Sequence, residues 1–290
     1  MPTEAIQTDY SPFDTWSLEK RLEVMLESNI SAVQAIRSVI TPLTEASEGI
    51  RERLLRGGRL VYIGAGTSGR LALQDAIELE PTFGFERTLV LLAGSDSREQ
   101  AQEDAEDDED AGVAAVRNAD VEAKDAVIAL AASGRTPYTL AALREATRRG
   151  AFSVGITNNA DTPLLHAAEV GICIDSGPEV IAGSTRMAAG TAQKVVLNLL
   201  SSVPMPELGA VYKNLMVGML PVNEKLYARA VQITVAATDA DAKAARSALE
   251  TANWNIRQAA LMLKTNLDAE ASAQLLKRHG GRLQTALEQV

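Results

Sequence analysis

The chain has 290 residues, 46% apolar and 23% charged, with a formal net charge of −10 and a single cysteine. That charge argues against nucleic acid as a partner, and lone Cys173 rules out a disulfide framework within the chain. No run approaches about 18 consecutive apolar residues and no basic-then-apolar leader opens the chain, so a cytoplasmic protein without a membrane span is expected.

In chain order, residues 1–15 are polar, carry Pro2 and Pro12, and read as an arm. Leu18, Leu22, Met25, Val33, Ile36 and Ile40 recur at helical spacing, with Pro42 expected to end that helix. A second helix places Leu43, Ala46, Ile50 and Leu54 on one face and stops at Gly57-Gly58. From residue 59 strands and helices alternate. Leu60–Ile63, Thr88–Leu92, Ala126–Ala131, Phe152–Thr157 and Val170–Ile174 read as strands. Between them lie helices to about Leu79, from Arg98 to Arg117, from Pro137 to Arg149 and, shorter, after Thr162-Pro163. A further helix is expected from about Thr185 to Leu200. This alternation predicts an α/β fold with a doubly wound, five-stranded parallel sheet whose ligand crevice lies at the carboxyl ends of the strands. Leu208 to Val235 reads as helix interrupted by Pro221, and short alanine-rich helices follow from Asp239. Three segments are expected: N-terminal arm and helices over 1–58, the sheet domain over 59–235, and a C-terminal helical module over 236–290.

Three loops carry the candidate chemistry. Arg59-Leu-Val-Tyr-Ile-Gly-Ala-Gly-Thr-Ser-Gly-Arg70 reads as strand, glycine turn and helix, a natural anion cradle in which Gly66, Thr67 and Ser68 face the ligand. Its spacing also fits G-x-G-x-x-G, but a nicotinamide site wants an acidic residue about 20 positions on, and the nearest, Asp96, lies too far along. The second loop, Ser133-Gly-Arg-Thr-Pro137, repeats the logic with Ser133 and Thr136 hydroxyls and an Arg135 guanidinium suited to phosphate. Gly183-Ser-Thr-Arg186 has similar composition. Two carboxylates stand out: Glu78, whose apolar neighbours and Pro81 suggest desolvation, and Glu106, which pattern alone does not separate from Glu103 or Asp107. His166 and His279 share no metal spacing with Cys173, and no G-x-S-x-G elbow exists.

Residues about 59–225 resemble the sugar isomerase (SIS) domain, and specifically the N-acetylmuramic acid 6-phosphate etherase family, relatives of the glucokinase regulatory proteins. The segments that carry the resemblance include Tyr62-Ile-Gly-Ala-Gly-Thr-Ser-Gly-Arg-Leu71, Pro81-Thr-Phe-Gly84, Ala105-Glu-Asp107 and Ala131-Ala-Ser-Gly-Arg-Thr-Pro-Tyr138. Gly177-Pro-Glu-Val180, Gly183-Ser-Thr-Arg-Met187, Ala189-Gly-Thr-Ala-Gln-Lys194, Asn214-Leu-Met-Val217, Asn223-Glu-Lys-Leu226 and His279-Gly-Gly281 continue it. The chain departs from the family pattern at Leu79-Glu80, at Ala188 in place of a lysine, and at Gly218 and Pro221.

The resemblance implies cleavage of the D-lactyl ether of N-acetylmuramic acid 6-phosphate to N-acetylglucosamine 6-phosphate and D-lactate, in cell-wall amino sugar recycling. It implies Glu78 as proton donor, Glu106 as the base at C2, phosphate among Thr67, Ser68, Ser133 and Thr136, and Glu179 and Ser184 in the sugar site. It implies a homodimer with no cofactor and no metal. Other readings stay open: a non-catalytic sugar-phosphate-binding regulator, a sugar-phosphate isomerase with the same fold or, on the G-x-G-x-x-G spacing alone, a nicotinamide-dependent oxidoreductase.

Overall fold

Five short strands form one parallel sheet in the computed structural model, which describes residues 2–94 and 103–290. The chain divides into two compact units, residues 1–76 with 87–200 and residues 77–86 with 201–290. This grouping differs from the three expected segments: the N-terminal helices belong with the sheet, and residues 201–235 belong with the tail.

In the first unit, β1 (Leu60–Gly64), β2 (Thr88–Leu92), β3 (Ala126–Leu130), β4 (Phe152–Thr157) and β5 (Val170–Cys173) lie in the order β2-β1-β3-β4-β5. Every pair is parallel, with Leu60 opposite both Thr88 and Ala126. Every residue of β1, β3 and β4 is buried. That is why β1 and β3 are continuous apolar runs; β4 also buries Ser153 and Thr157, whose hydroxyls are hydrogen-bonded. Strand order reverses between β1 and β3, and in sheets of this kind the ligand crevice opens at that point.

Just before these two strands, the Asp125 carboxylate accepts hydrogen bonds from the Arg59 backbone N–H, its guanidinium (2.6 Å) and the Glu122 N–H. Burial alone would raise the Asp125 pKa, but these bonds together hold it below the ordinary carboxylate value.

α1 (Leu18–Ala35) and α2 (Ile40–Leu55) are joined by a 3-10 turn over Ile36–Val39. Pro42 therefore does not end the first helix. It sits in the first turn of α2, where its missing N–H costs nothing. α2 buries Leu43, Ala46, Ile50 and Leu54 and contacts β3, β4 and β5. The N-terminal arm is three 3-10 turns, in which Thr3 is fully buried.

α3 (Gly66–Phe83) runs past the expected end at Leu79 and through Pro81, which removes the N–H that Ile77 O would otherwise accept. Its residues from Ile77 onward group with the second unit. A 3-10 turn, Glu103–Glu106, and α4 (Glu109–Asn118), capped by the Asp108 carboxylate, replace the longer helix expected from Arg98. Arg98, and Asp96 before it, lie outside the described residues. α5 (Pro137–Arg148) packs on α4, and Glu145 bonds Arg148 and Arg117, which hold its carboxyl at about 2. α6 (Pro163–Ala167) and α7 (Ala188–Ser202) complete the run of helices. Burial pushes the Cys173 thiol pKa up, in keeping with an unreactive side chain.

In the second unit, residues 203–222 are turns with a Tyr212–Leu215 bridge rather than the expected helix. A side chain on Gly218 would meet Phe83 O at 2.3 Å, so the glycine that departs from the family pattern serves a close backbone approach. α8 (Glu224–Thr238) is followed by α9 (Ala242–Thr251), α10 (Ile256–Thr265), α11 (Ala269–Arg278) and α12 (Leu283–Leu287). The last four are two hairpins that repeat each other position by position. Asp241 and Asp268 cap the leading helices, Leu249 matches Leu276, Ile256 matches Leu283, and Ala259 matches Ala286, all four pairs in the buried core or its caps.

Candidate active site

The first loop is as tight as its glycines allow. A Cβ on Gly64 would stand 2.9 Å from Gly69 Cα, and one on Gly69 would meet Leu92 Cδ1 at 2.2 Å. Gly66 has φ +51°, a left-handed conformation that costs an L-residue about 1–2 kcal/mol. From there α3 starts at once, and by helix geometry the N–H groups of Gly66, Thr67 and Ser68 have no acceptor inside the helix. Thr67 is half-buried beside Gly190 of α7. Ser68 is buried, and its hydroxyl donates to Gln193 Oε1 at 2.8 Å.

Glu106 comes to this same turn. Its Oε1 stands 2.6 Å from where a Cβ on Gly66 would be. The sequence offered no way to rank Glu106 above its acidic neighbours; the fold sets it against the mouth of the glycine loop, next to the positive end of a helix.

The second loop follows β3, the neighbour of β1, so the two loops flank the point where strand order reverses. Gly134 has φ +65° and packs on Thr162, whose Oγ1 lies 2.3 Å from its Cβ direction. Asn158 N–H and Asn159 Nδ2 both donate to Ala132 O, fixing the base of the loop. Ser133 and Thr136 are half-buried, and Arg135 is exposed. Thr136 is the N-cap residue of α5 but makes no side-chain capping bond; Ser133 Oγ instead accepts from Arg135 N–H at 3.2 Å.

The third loop behaves differently. Glu179 is 1% exposed, and its two carboxylate oxygens accept from Ala188 N–H (2.9 Å) and Ala189 N–H (3.0 Å). It therefore seals the start of α7. Ser184 is half-buried and its N–H donates to Ile181 O. Ala188, where the family pattern has lysine, is fully buried. The N-terminal arm reaches this region too: Asn159 Nδ2 donates to Thr3 Oγ1 at 2.8 Å, and Glu179 N–H donates to Thr3 O.

Glu78 lies on the stretch of α3 grouped with the second unit and is exposed, as is Glu80, while Leu79 between them is buried. The desolvation expected from its apolar neighbours is thus absent within this chain: Leu79 turns to the buried face of the helix, and Ile77 is itself 62% exposed.

Several polar residues that pattern reading passed over are central. Asp75, buried on α3, accepts from Tyr62 OH (2.7 Å) and Asn198 Nδ2 (2.6 Å). Asn158, Asn159 and Gln193 are buried and tie the loops to one another. The available signal was a polar residue at an inward helical position, as Gln193 is in α7. Among the described residues, no three His, Cys, Asp or Glu side chains gather in a way that suits a metal ion. No helix among them is long and apolar enough to cross a membrane.

The SIS domain family matches residues 109–202, and the N-terminal SIS domain of the glucokinase regulatory protein matches residues 42–147. The chain is similar to N-acetylmuramic acid 6-phosphate etherase of Deinococcus radiodurans, at 44% identity over 98% of this chain and 94% of that one. It is similar to N-acetylmuramic acid 6-phosphate etherase 1 of Enterococcus faecalis, at 40% identity over 99% of this chain and 97% of that one. Among solved structures it is similar to a phosphoheptose isomerase from Francisella tularensis, with a TM-score of 0.50 and 16% identity over 65% of this chain and 98% of that one. That last likeness speaks for the fold alone. With identity of this order along the whole length, and with a glycine turn, a hydroxyl loop and a carboxylate gathered at the sheet's switch point, the chain belongs to the N-acetylmuramic acid 6-phosphate etherase family.

Proposed function

We propose that the protein is a carbon–oxygen lyase that cleaves the D-lactyl ether of N-acetylmuramic acid 6-phosphate, giving N-acetylglucosamine 6-phosphate and D-lactate in amino sugar recycling. The observation that carries the site reading is the Glu106 carboxylate against Gly66 at the start of α3. On the opened sugar, the C1 aldehyde makes the C2 proton acidic, and Glu106 takes it. The C3–oxygen bond breaks as Glu78 gives a proton to the departing lactyl oxygen, leaving a C2–C3 double bond conjugated to the aldehyde. Water then adds across it: hydroxide to C3, with its proton to Glu78, and the Glu106 proton back to C2. Exposure of Glu78 suits a group that must exchange protons with lactate and water.

Ser133, Thr136, Arg135 and the first-turn amides of α3, with Gly66 and Thr67, supply the donors for phosphate and sugar, and Ser184 lines the same edge. Glu179 contributes by holding α7 in place. The nicotinamide reading, which rested on glycine spacing alone, gives way to this one.

A homodimer in the cytoplasm belongs to the same proposal. Leu18, Leu22, Leu26, Ile30 and Val33 form one apolar stripe along α1, with Leu18 75% and Leu22 70% exposed. A stripe of this kind is the signature of a helix that buries its face against another chain. A second copy of the protein is the natural cover.

Incubation with N-acetylmuramic acid 6-phosphate should release D-lactate, and Glu78→Gln should abolish release while leaving the fold intact. Well-folded protein that binds the sugar phosphate without releasing lactate would point instead to a regulator.

A further inference from the structure

Ser68 stands at the end of a buried chain of hydrogen bonds whose direction can be read from its far end. Asn158 faces the carbonyl oxygen of Ile174 at 3.3 Å, and a carbonyl only accepts, so the Asn158 amide nitrogen lies on that side and also donates to Ser176 Oγ. Asn158 Oδ1 must then face Gln193, which donates to it through Nε2 at 2.8 Å. That orientation turns Gln193 Oε1 toward Ser68, whose hydroxyl has to donate at 2.8 Å. Gln193 and Asn158 are each 1% exposed, so neither amide can reverse without stranding a buried partner. The chain links the loop after β5, the end of β4, the second turn of α7 and the first turn of α3.

A serine hydroxyl has one proton to give and two lone pairs to offer. With its proton held by Gln193, Ser68 has only acceptor capacity left on its side chain. A phosphate dianion offers acceptors alone, so the Ser68 hydroxyl has nothing to give it; a sugar hydroxyl or amide N–H, which donates, is its complement.

We infer that Gln193 is a positioning residue for substrate specificity: by fixing the Ser68 hydroxyl as an acceptor, it directs that serine to a donor group of the sugar and leaves the phosphate to backbone amides and to the Ser133–Thr136 loop. The inference rests on the sugar-phosphate reading of this site. It differs from the simplest expectation for the loop, in which Ser68 donates to phosphate.

The test is titration calorimetry of the full chain with N-acetylglucosamine 6-phosphate and, separately, with inorganic phosphate, for wild type, Gln193→Met, Ser68→Ala and the double variant. Each single substitution should weaken sugar-phosphate binding about tenfold, the double variant should be no weaker than Ser68→Ala, and inorganic phosphate should bind all four alike. Additive losses, or weaker inorganic phosphate binding in Ser68→Ala, would overturn the inference while sparing the site reading. A wild type that binds neither ligand would overturn both. Should Gln193→Met not fold, Ser68→Ala alone decides: loss confined to the sugar phosphate supports the assignment, and a parallel loss of inorganic phosphate refutes it.

Discussion

Glu106 and Gly66 occupy each other's space: the carboxylate Oε1 lies 2.6 Å from the position a Cβ on Gly66 would take. The loop can thus hold its backbone turn and admit the carboxylate only with glycine at this position. Gly66→Ala should both strain φ +51° and push Glu106 aside. Stability should fall by about 1–2 kcal/mol, and D-lactate release should drop by about 100-fold or more, approaching Glu106→Gln. Thermal melting beside steady-state assays separates the two effects. Activity near wild type in folded Gly66→Ala would remove Glu106 from the chemistry.

Gly134 offers the matching case in the second loop. Alanine there meets Thr162 Oγ1 at 2.3 Å and sits at φ +65°. Because the loop is assigned to phosphate, the KM for N-acetylmuramic acid 6-phosphate should rise about tenfold or more, and inhibition by inorganic phosphate should weaken in step. A fall in kcat with unchanged KM would contradict that assignment.

Glu179→Gln tests the seal on α7. The amide keeps one acceptor, but its NH2 group must face a backbone N–H of Ala188 or Ala189. The cost should be about 1–3 kcal/mol, read as a lower denaturant midpoint at unchanged slope. Retention of wild-type stability would show that the carboxylate is not holding the helix.

Acid sensitivity should centre on Glu145. Arg148 and Arg117 hold its folded pKa at about 2, well below its ordinary 4.5. The carboxylate therefore contributes stability above pH 4.5, and that contribution is lost as pH falls toward 2. Asp125, also held below its ordinary value, adds to the same acid loss. Melting temperature plotted against pH should decline less steeply in this window for Glu145→Gln than for wild type. Parallel curves would exclude the pairing as a source of acid lability.

The stripe on α1 predicts the oligomeric state. Light scattering should give a dimer for the wild type, and Leu22→Glu with Leu26→Glu should give monomers that still show helical circular dichroism. A monomeric wild type would leave the stripe without its proposed cover.

Legibility in the sequence followed the physics of each element. The central strands were plain because β1 and β3 are apolar on both faces, and the start of α5 was plain from Thr136-Pro137. Proline was hard to read: Pro42 opens a helix instead of closing one, and α3 runs on through Pro81 past its expected end at about Leu79. Local preference cannot tell these cases apart, because what decides them is the packing around the helix. In the candidate site, the glycine and hydroxyl loops were visible as motifs. The tie of Glu106 to Gly66 and the relay through Gln193 and Asn158 were not, since each joins residues remote in sequence through the sheet topology. The bonds from Glu179 to the Ala188 and Ala189 amides were equally hidden, since a carboxylate near a loop carries no mark of the backbone amides it will meet.

The Arg59–Asp125 lock has a kinetic side. It joins residues 66 positions apart, directly before the two strands whose pairing defines the switch point. Neither partner can help until that long loop has closed, whereas the hairpins α9–α10 and α11–α12 draw on near neighbours. The helical tail should therefore acquire its structure early and the centre of the sheet late. During synthesis, the first strand must wait for the third to emerge before its charged anchor has anything to hold.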